Sequence, residues 1–229
     1  MPNSVKWLGH AACQVTTTGG CVILIDPWIT GNPGCPVKKE DIGKVDIILV
    51  THDHFDHMGT DIPDLVRATG AKVIGQPELV GILQEAGVPA ENTVGMNIGG
   101  QVEVAGIKVT MTQAFHSATA GDAVGYIITL EDGKTIYHAG DTGIFASMEL
   151  LGRIYSIDLA LLPIGSVYVM DPLQAAYSLT LLKPGKVVPI HYGTFPVLVQ
   201  DAGEFVKLAG EKAPGVPVEV LKPGQEIVI

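Results

Sequence analysis

The apolar run Val45-Asp46-Ile47-Ile48-Leu49-Val50 leads straight into Thr51-His52-Asp53-His54-Phe55-Asp56-His57-Met58-Gly59. A short run that is apolar on both faces reads as a strand buried centrally in a sheet. Three histidines and an aspartate follow at once, in the pattern HxHxDH. This junction restricts the chain to folds in which a sheet delivers a polar centre at the end of a buried strand. His52 and His54, two residues apart, can point their imidazoles at one ion. Asp56 and His57, at the turn into the next helix, can reach a second ion nearby. Imidazole nitrogen and carboxylate oxygen are borderline ligands that suit Zn²⁺, Mn²⁺ or Fe²⁺. A merely solvated loop has no need of four ligand-type residues in register.

Composition decides which folds can carry such a centre. The chain has 229 residues, of which 47% are hydrophobic and 17% charged. Disorder is excluded by that balance, and a folded chain of this size hides roughly 70% of its surface. One domain over 1–229 is expected. The net charge of -10 argues against nucleic acid or an anionic membrane as partner, because both need a basic footprint. The N-terminal residues show no secretory pattern and no apolar run is long enough to span a bilayer, so a cytoplasmic location is expected. Cys13, Cys21 and Cys35 are odd in number and lack CxxC spacing, which suits free thiols in a reducing compartment. The expected partner is a small-molecule substrate, and a homo-oligomer is compatible with the sequence.

Period-two alternation and turn residues place strands at 5–8, 12–16 and 21–26, with Thr18-Gly19-Gly20 as a hairpin turn. A Pro/Gly-rich loop covers 27–36. Helices at 61–68 and 77–86 flank a strand at 72–74. Further strands fall at 102–104, 107–111, 124–130 and 135–138, the last two joined by Glu131-Asp132-Gly133-Lys134. A strand at 157–162, a helix at 173–182, a strand at 187–190 and a helix at 201–208 follow, with final strands near Val218 and Ile227. The order strand, acid, strand occurs around Asp26 and again around Asp141. That echo favours an α/β chain of two similar halves packed sheet to sheet with helices outside, a four-layer αββα sandwich.

Three more ligand-type residues stand where strands should end: His116, Asp141 and His191. Each alone is a weak signal. In this order after HxHxDH, and with Asp26 in Leu24-Ile25-Asp26-Pro27, they resemble the metallo-β-lactamase superfamily of metal-dependent hydrolases. The match extends over nearly the whole chain. Trp7-Leu8-Gly9-His10-Ala11, His138-Ala139-Gly140-Asp141-Thr142 and His191-Tyr192-Gly193-Thr194-Phe195-Pro196 look like a branch of bacterial and archaeal predicted metal-dependent hydrolases. That branch is similar to ascorbate-6-phosphate lactonases and, more distantly, to N-acylphosphatidylethanolamine phospholipases.

The resemblance implies two divalent ions, Zn²⁺ foremost, with Mn²⁺, Fe²⁺ or Ni²⁺ as alternatives. One ion would be held by His52, His54 and His116, the other by Asp56, His57 and His191, with Asp141 bridging. A metal-bridging hydroxide would then cleave an ester, lactone or phosphoester bond of a small substrate, anionic substrates included, with Asp56 as the catalytic carboxylate. Asp26 would stand behind a ligand imidazole or cap a turn. His10 is placed either beside the ligands or in ordinary strand packing. His138 is expected on the opposite face from Asp141, as a packed histidine. Trp28, Phe195 and Tyr168 read as packing or pocket-wall aromatics, and the segments 27–36 and 165–171 as the pocket rim. Flavodiiron-type members carry a glutamate where His54 stands, and antibiotic-hydrolysing members carry a cysteine in the second site, so both fit less well. The alternatives are a non-catalytic metal sensor or store, and a phosphodiesterase or nuclease of the same superfamily.

Overall fold

A computed structural model describes residues 2–229. The first sheet grows from the alternating strands β1 (Ser4–Gly9), β2 (Ala12–Thr16) and β3 (Val22–Ile25), paired antiparallel. The turn between β2 and β3 closes as its Gly and Thr residues dictate, with the Gly20 amide donating to the Thr17 carbonyl. Three parallel strands extend the sheet: β4 (Ile47–Leu49), β5 (Lys72–Gly75) and β6 (Thr93–Gly95). Parallel neighbours need crossovers; the long segment 26–46 links β3 to β4, and α1 (Ile62–Thr69) and α2 (Pro77–Glu85) link β4 to β5 and β5 to β6. Both helices carry proline in the first turn, and α1 ends on Gly70 at φ 74°.

The second sheet contains β7 (Gln101–Val104), β8 (Ile107–Gln113), β9 (Val124–Thr129) and β10 (Thr135–His138), all antiparallel. It continues with two parallel strands, β11 (Leu159–Pro163) and β12 (Lys186–Ile190). Helices α3 (Met148–Ile154), α4 (Pro172–Leu182) and α5 (Gly203–Lys212) pack on it. The Asp171 carboxylate caps α4 by accepting from the Gln174 amide at 2.7 Å. Finally β13 (Glu226–Val228) returns to pair with β1 at the edge of the first sheet.

The buried side chains divide by strand face. Ile47 and Leu49 enter the core shared with the second sheet, while Ile48 and Val50 lie under α1 and α2. The result is the four-layer αββα sandwich expected from the sequence. Its two halves also match in connectivity. Pairings run antiparallel, antiparallel, parallel, parallel through β1–β5 and again through β8–β12.

Some elements differ from the sequence reading. The central strand is shorter than 45–50, although Val45 and Val50 are still buried beside it. Helix α3 and the edge strand β6 were not expected. Val218 forms only an isolated bridge to Val187. Among the described residues the three cysteines are free, and no helix is long and apolar enough to cross a membrane.

Candidate metal centre

Every polar side chain of the centre leaves the end of a strand, where backbone turns can aim it. Asp26 follows β3 at φ 46°, a left-handed conformation unusual for a residue other than glycine. Its carboxylate is fully buried and accepts three hydrogen bonds. The Thr51 amide donates to Oδ1 at 2.8 Å, and the Thr51 hydroxyl and His57 Nδ1 each donate to Oδ2 at 2.7 Å. Asp26 therefore both fixes the turn after β4 and orients a ligand-type imidazole, so the two readings offered for it are one arrangement.

With its Nδ1 committed to Asp26, His57 presents Nε2 to the centre, 3.2 Å from Asp141 Oδ2. Asp141 Oδ2 also lies 3.1 Å from His191 Nε2 and 3.5 Å from His116 Nε2. One oxygen thus faces three imidazole nitrogens delivered by three separate segments. Burial alone would lower the His57 pKa, but the Asp141 and Asp26 carboxylates overcome it and push the pKa well above the usual value. Asp141 is driven the other way. Burial opposes its ionisation, yet the facing His191 and His57 hold it well below the usual carboxylate range.

A second group converges beside the first. His52 Nε2 lies 2.9 Å from His54 Nδ1, which is 3.3 Å from His116 Nε2. The Thr51 hydroxyl is 3.0 Å from His52 Nδ1, leaving Nε2 to face its neighbours. Burial, reinforced by the charge at His57, pushes His52 down to about 2, so its ring is neutral and its lone pair available.

His10 completes the wall. It occupies the tight turn between β1 and β2 at φ 54°, and its Nε2 donates to Asp56 Oδ2 at 3.1 Å. The Thr194 hydroxyl lies 2.9 Å from its Nδ1 and fixes that tautomer by donating to it. Burial lowers the His10 pKa to about 4, so the ring serves as a neutral donor. Its backbone carbonyl accepts from both Trp7 Nε1 and the His191 amide, at 2.8 and 2.9 Å. His10 therefore steadies Asp56 through its ring and His191 through its backbone.

The fit to metal ions can be judged from these contacts. Three overlapping sets bring their ligand atoms within 4.8 Å of one another: His52, His54 and His116; His52, His57 and Asp141; and His10, Asp56, His57 and His191. His57 Nε2, Asp141 Oδ1 and His191 Nδ1 are buried without a hydrogen-bond partner. Acceptor atoms crowded face to face in a dry site need protons or cations between them. Nitrogen and carboxylate oxygen in this proportion suit borderline divalent ions. The residues fit.

All seven residues expected as ligands lie in this one cluster, with Asp26 and His10 directly behind it. His138 does not join them. It is buried, with Nε2 donating to the Ala11 carbonyl at 3.1 Å and Nδ1 accepting from the Gly140 amide at 3.1 Å. The loop 27–36 is misplaced by the sequence reading. Pro33 and Gly34 line a separate cavity behind His10, and only Trp28 backs the site, stacked on Phe195 with ring centroids 5.9 Å apart. The open cavity over the cluster is about 540 Å³. Its wall includes Phe55, Ser117, Tyr168, Phe195, Val197 and Leu198. Thr194 was also missed, for its hydroxyl meets a side chain 184 positions away and nothing local marks it.

Comparison with known proteins gives the family. The β-lactamase superfamily domain matches residues 22–192. A UPF0173 metal-dependent hydrolase of Nitratidesulfovibrio vulgaris (strain DP4) is 49% identical over 235 residues, covering 100% of this chain and 96% of the relative. The chain belongs to this family of metal-dependent hydrolases. A member of the same family from Caldivirga maquilingensis is 50% identical over 222 residues, with 96% and 95% coverage. Igni18, a metallo hydrolase from the archaeon Ignicoccus hospitalis, superposes on this hydrolase with a TM-score of 0.91 at 39% identity, over 100% and 99% of the two chains. The fold of the hydrolase is therefore the metallo-β-lactamase fold.

Proposed function

We propose that this hydrolase holds two divalent ions and cleaves an ester, lactone or phosphoester bond of a small substrate. His52, His54 and His116 would hold one ion, and Asp56, His57 and His191 the other, with Asp141 shared. When bound, the ions supply a water nucleophile at neutral pH and polarise the substrate oxygen. The single observation behind this reading is Asp141 Oδ2, which faces His57, His116 and His191 at 3.1 to 3.5 Å.

The chain's own groups do the rest. Asp56 Oδ2 is tied to His10, which holds the carboxylate in one orientation at the cavity floor. Held low by the His10 hydrogen bond and the His57 charge despite burial, Asp56 is ionised at neutral pH and can take a proton from water. Hydrolysis consumes one water. Its hydroxyl goes to the acyl carbon or phosphorus, and its proton passes through Asp56 to the leaving oxygen. Two divalent ions against the carboxylates of Asp56 and Asp141 leave the floor positive, which suits a carbonyl or phosphoryl oxygen gaining charge. Zn²⁺ is the first candidate, then Mn²⁺, Fe²⁺ and Ni²⁺.

Elemental analysis of protein purified without added metal tests the ion count, followed by a panel of ester, lactone and phosphodiester probes on each reconstituted form. Two ions per chain with turnover of at least one class is the expected result. Two ions with no turnover in any metal would favour a sensor or store. Full activity in Asp56→Ala would remove the role given to that residue.

A further inference from the structure

The cavity over the cluster is divided by chemistry. Its floor is made of His54, Asp56, His116, Asp141 and His191, while its walls are Phe55, Tyr168, Phe195, Val197 and Leu198. Among the described residues the only other wall residue is Ser117, and no lysine or arginine lines the cavity. Three wall residues are largely exposed: Phe55 at 68%, Tyr168 at 60% and Val197 at 52%. Phe55 and Phe195 are backed by the buried Trp28, to which both rings pack within 6 Å. A solvent-facing aromatic ledge with a buried aromatic beneath it presents apolar surface that a ligand can cover.

Several cations of the chain stand away from this cavity. Its two arginines form exposed pairs on helix surfaces, Arg67 with Asp64 and Arg153 with Glu149. Lys39 is paired with Asp64 and Asp61, and Lys222 lines the separate cavity behind His10. A substrate carrying a phosphate or carboxylate remote from the scissile bond would find no partner in this wall, within a chain of net charge -10.

We infer that the substrate is an ester or lactone whose acyl group is apolar and of medium length, lying along Phe55, Phe195, Val197 and Leu198 with its carbonyl at the metal floor. The inference rests on the hydrolase reading above and narrows it. Sugar phosphates, nucleotides and anionic acyl groups are disfavoured by the same wall. A cavity of about 540 Å³ falls in the ordinary range for such ligands.

The test is a series of p-nitrophenyl esters from acetate to decanoate on metal-loaded protein, kept below their aggregation limits, beside p-nitrophenyl phosphate. One-sided burial of each methylene gives roughly a twofold rise in kcat/KM per carbon through the octanoyl ester, half of the full transfer value. Val197→Ser and Phe55→Ser, at exposed positions that tolerate change, flatten that slope. A second readout is independent of turnover. Binding of acetate, butyrate, hexanoate and octanoate is followed by calorimetry on the apo and loaded protein, with affinity and a negative heat-capacity change expected to grow with length. Ester turnover with a flat or falling chain-length dependence, or a preference for the phosphate, overturns the inference. Rising affinity for longer carboxylates without turnover of any ester, or of the phosphate, would keep the apolar wall and sink the proposed ester or phosphoester chemistry. Affinity independent of length in the absence of turnover would sink both.

Discussion

The two halves of the sandwich have the same strand pairing and unlike ways of reaching the metal centre. The first half delivers His52, His54, Asp56 and His57 from one loop after β4, braced by Asp26 and Thr51 of the same half. In the second half, His116, Asp141 and His191 arrive singly after β8, β10 and β12. After β11, the counterpart of β4, the chain builds the cavity wall around Tyr168 instead. The support differs too. Asp141 Oδ1 and His191 Nδ1 have no hydrogen-bond partner, whereas His57 Nδ1 is fixed by a buried carboxylate. His191 is placed by backbone, with its amide on the His10 carbonyl. Gly165 also packs so closely that a Cβ there would fall 2.2 Å from the His191 carbonyl oxygen. The first half's loop is braced by a buried carboxylate of its own half, with the Thr119 and Ala120 amides reaching it, and Thr194 reaching His10, from the other side, whereas the second half's members are placed by what they meet.

That contrast can be broken by substitution. Asp141→Ala removes the oxygen that faces His57, His116 and His191 and that would join the second half to both proposed ion positions. It is expected to lower bound metal below two per chain and to cut kcat by about 10³-fold, about 4 kcal/mol of barrier. Retention of both ions in elemental analysis would show the centre to be held by the histidines alone. Stripping metal by chelation is next in size. At hundredfold saturation each ion contributes about 2.7 kcal/mol of stability, so Tm should fall by about 5–10 °C per ion. Amide exchange after chelation should rise most around 140–143 and 190–194 and least around 51–57. Equal loosening of both would erase the proposed difference.

Asp26→Asn probes the first half. The His57 ring loses its anionic partner, and metal affinity should drop about 10- to 100-fold in a chelator competition. The smallest effect concerns His138, in the second half but outside the centre. Burial holds its pKa below the ordinary value, so it is neutral in the fold. The unfolded chain takes up that proton near pH 6.5, so the stability contributed by neutral His138 is complete above that pH. It declines as the pH falls toward the lowered folded value. His138→Asn should reduce the loss of Tm between pH 7 and pH 5.

The same contrast explains what could be read from the chain. The first half's candidate ligands lie in six consecutive residues, so local spacing exposes them. His116, Asp141 and His191 carry no local signature, and only their order in a resemblance marks them. Asp26 and His57 are 31 positions apart, and their contact depends on β3 and β4 being parallel neighbours. Helix α3 escaped notice because it has seven residues and contains Gly152, which weakens any helical signal. That glycine is required by close packing on α4, where a Cβ would sit 2.5 Å from the Leu181 and Leu182 carbonyl oxygens. The edge strand β6 is three residues long and has β5 as its strand neighbour. The aromatic ledge was equally hidden, since exposure of Phe55 beside burial of Trp28 is a property of the assembled cavity.

The bond between the His191 amide and the His10 carbonyl sets a timetable for biosynthesis. The turn holding His10 leaves the ribosome well before its partner, which lies 181 positions further along the chain. At typical elongation rates, residues 52–57 wait on the order of 10 s before His191 emerges. During that interval the nascent chain displays half a binding site, able to sample any passing ion but unable to enclose one. The full set of candidate ligands therefore comes together only once both halves have been made and meet.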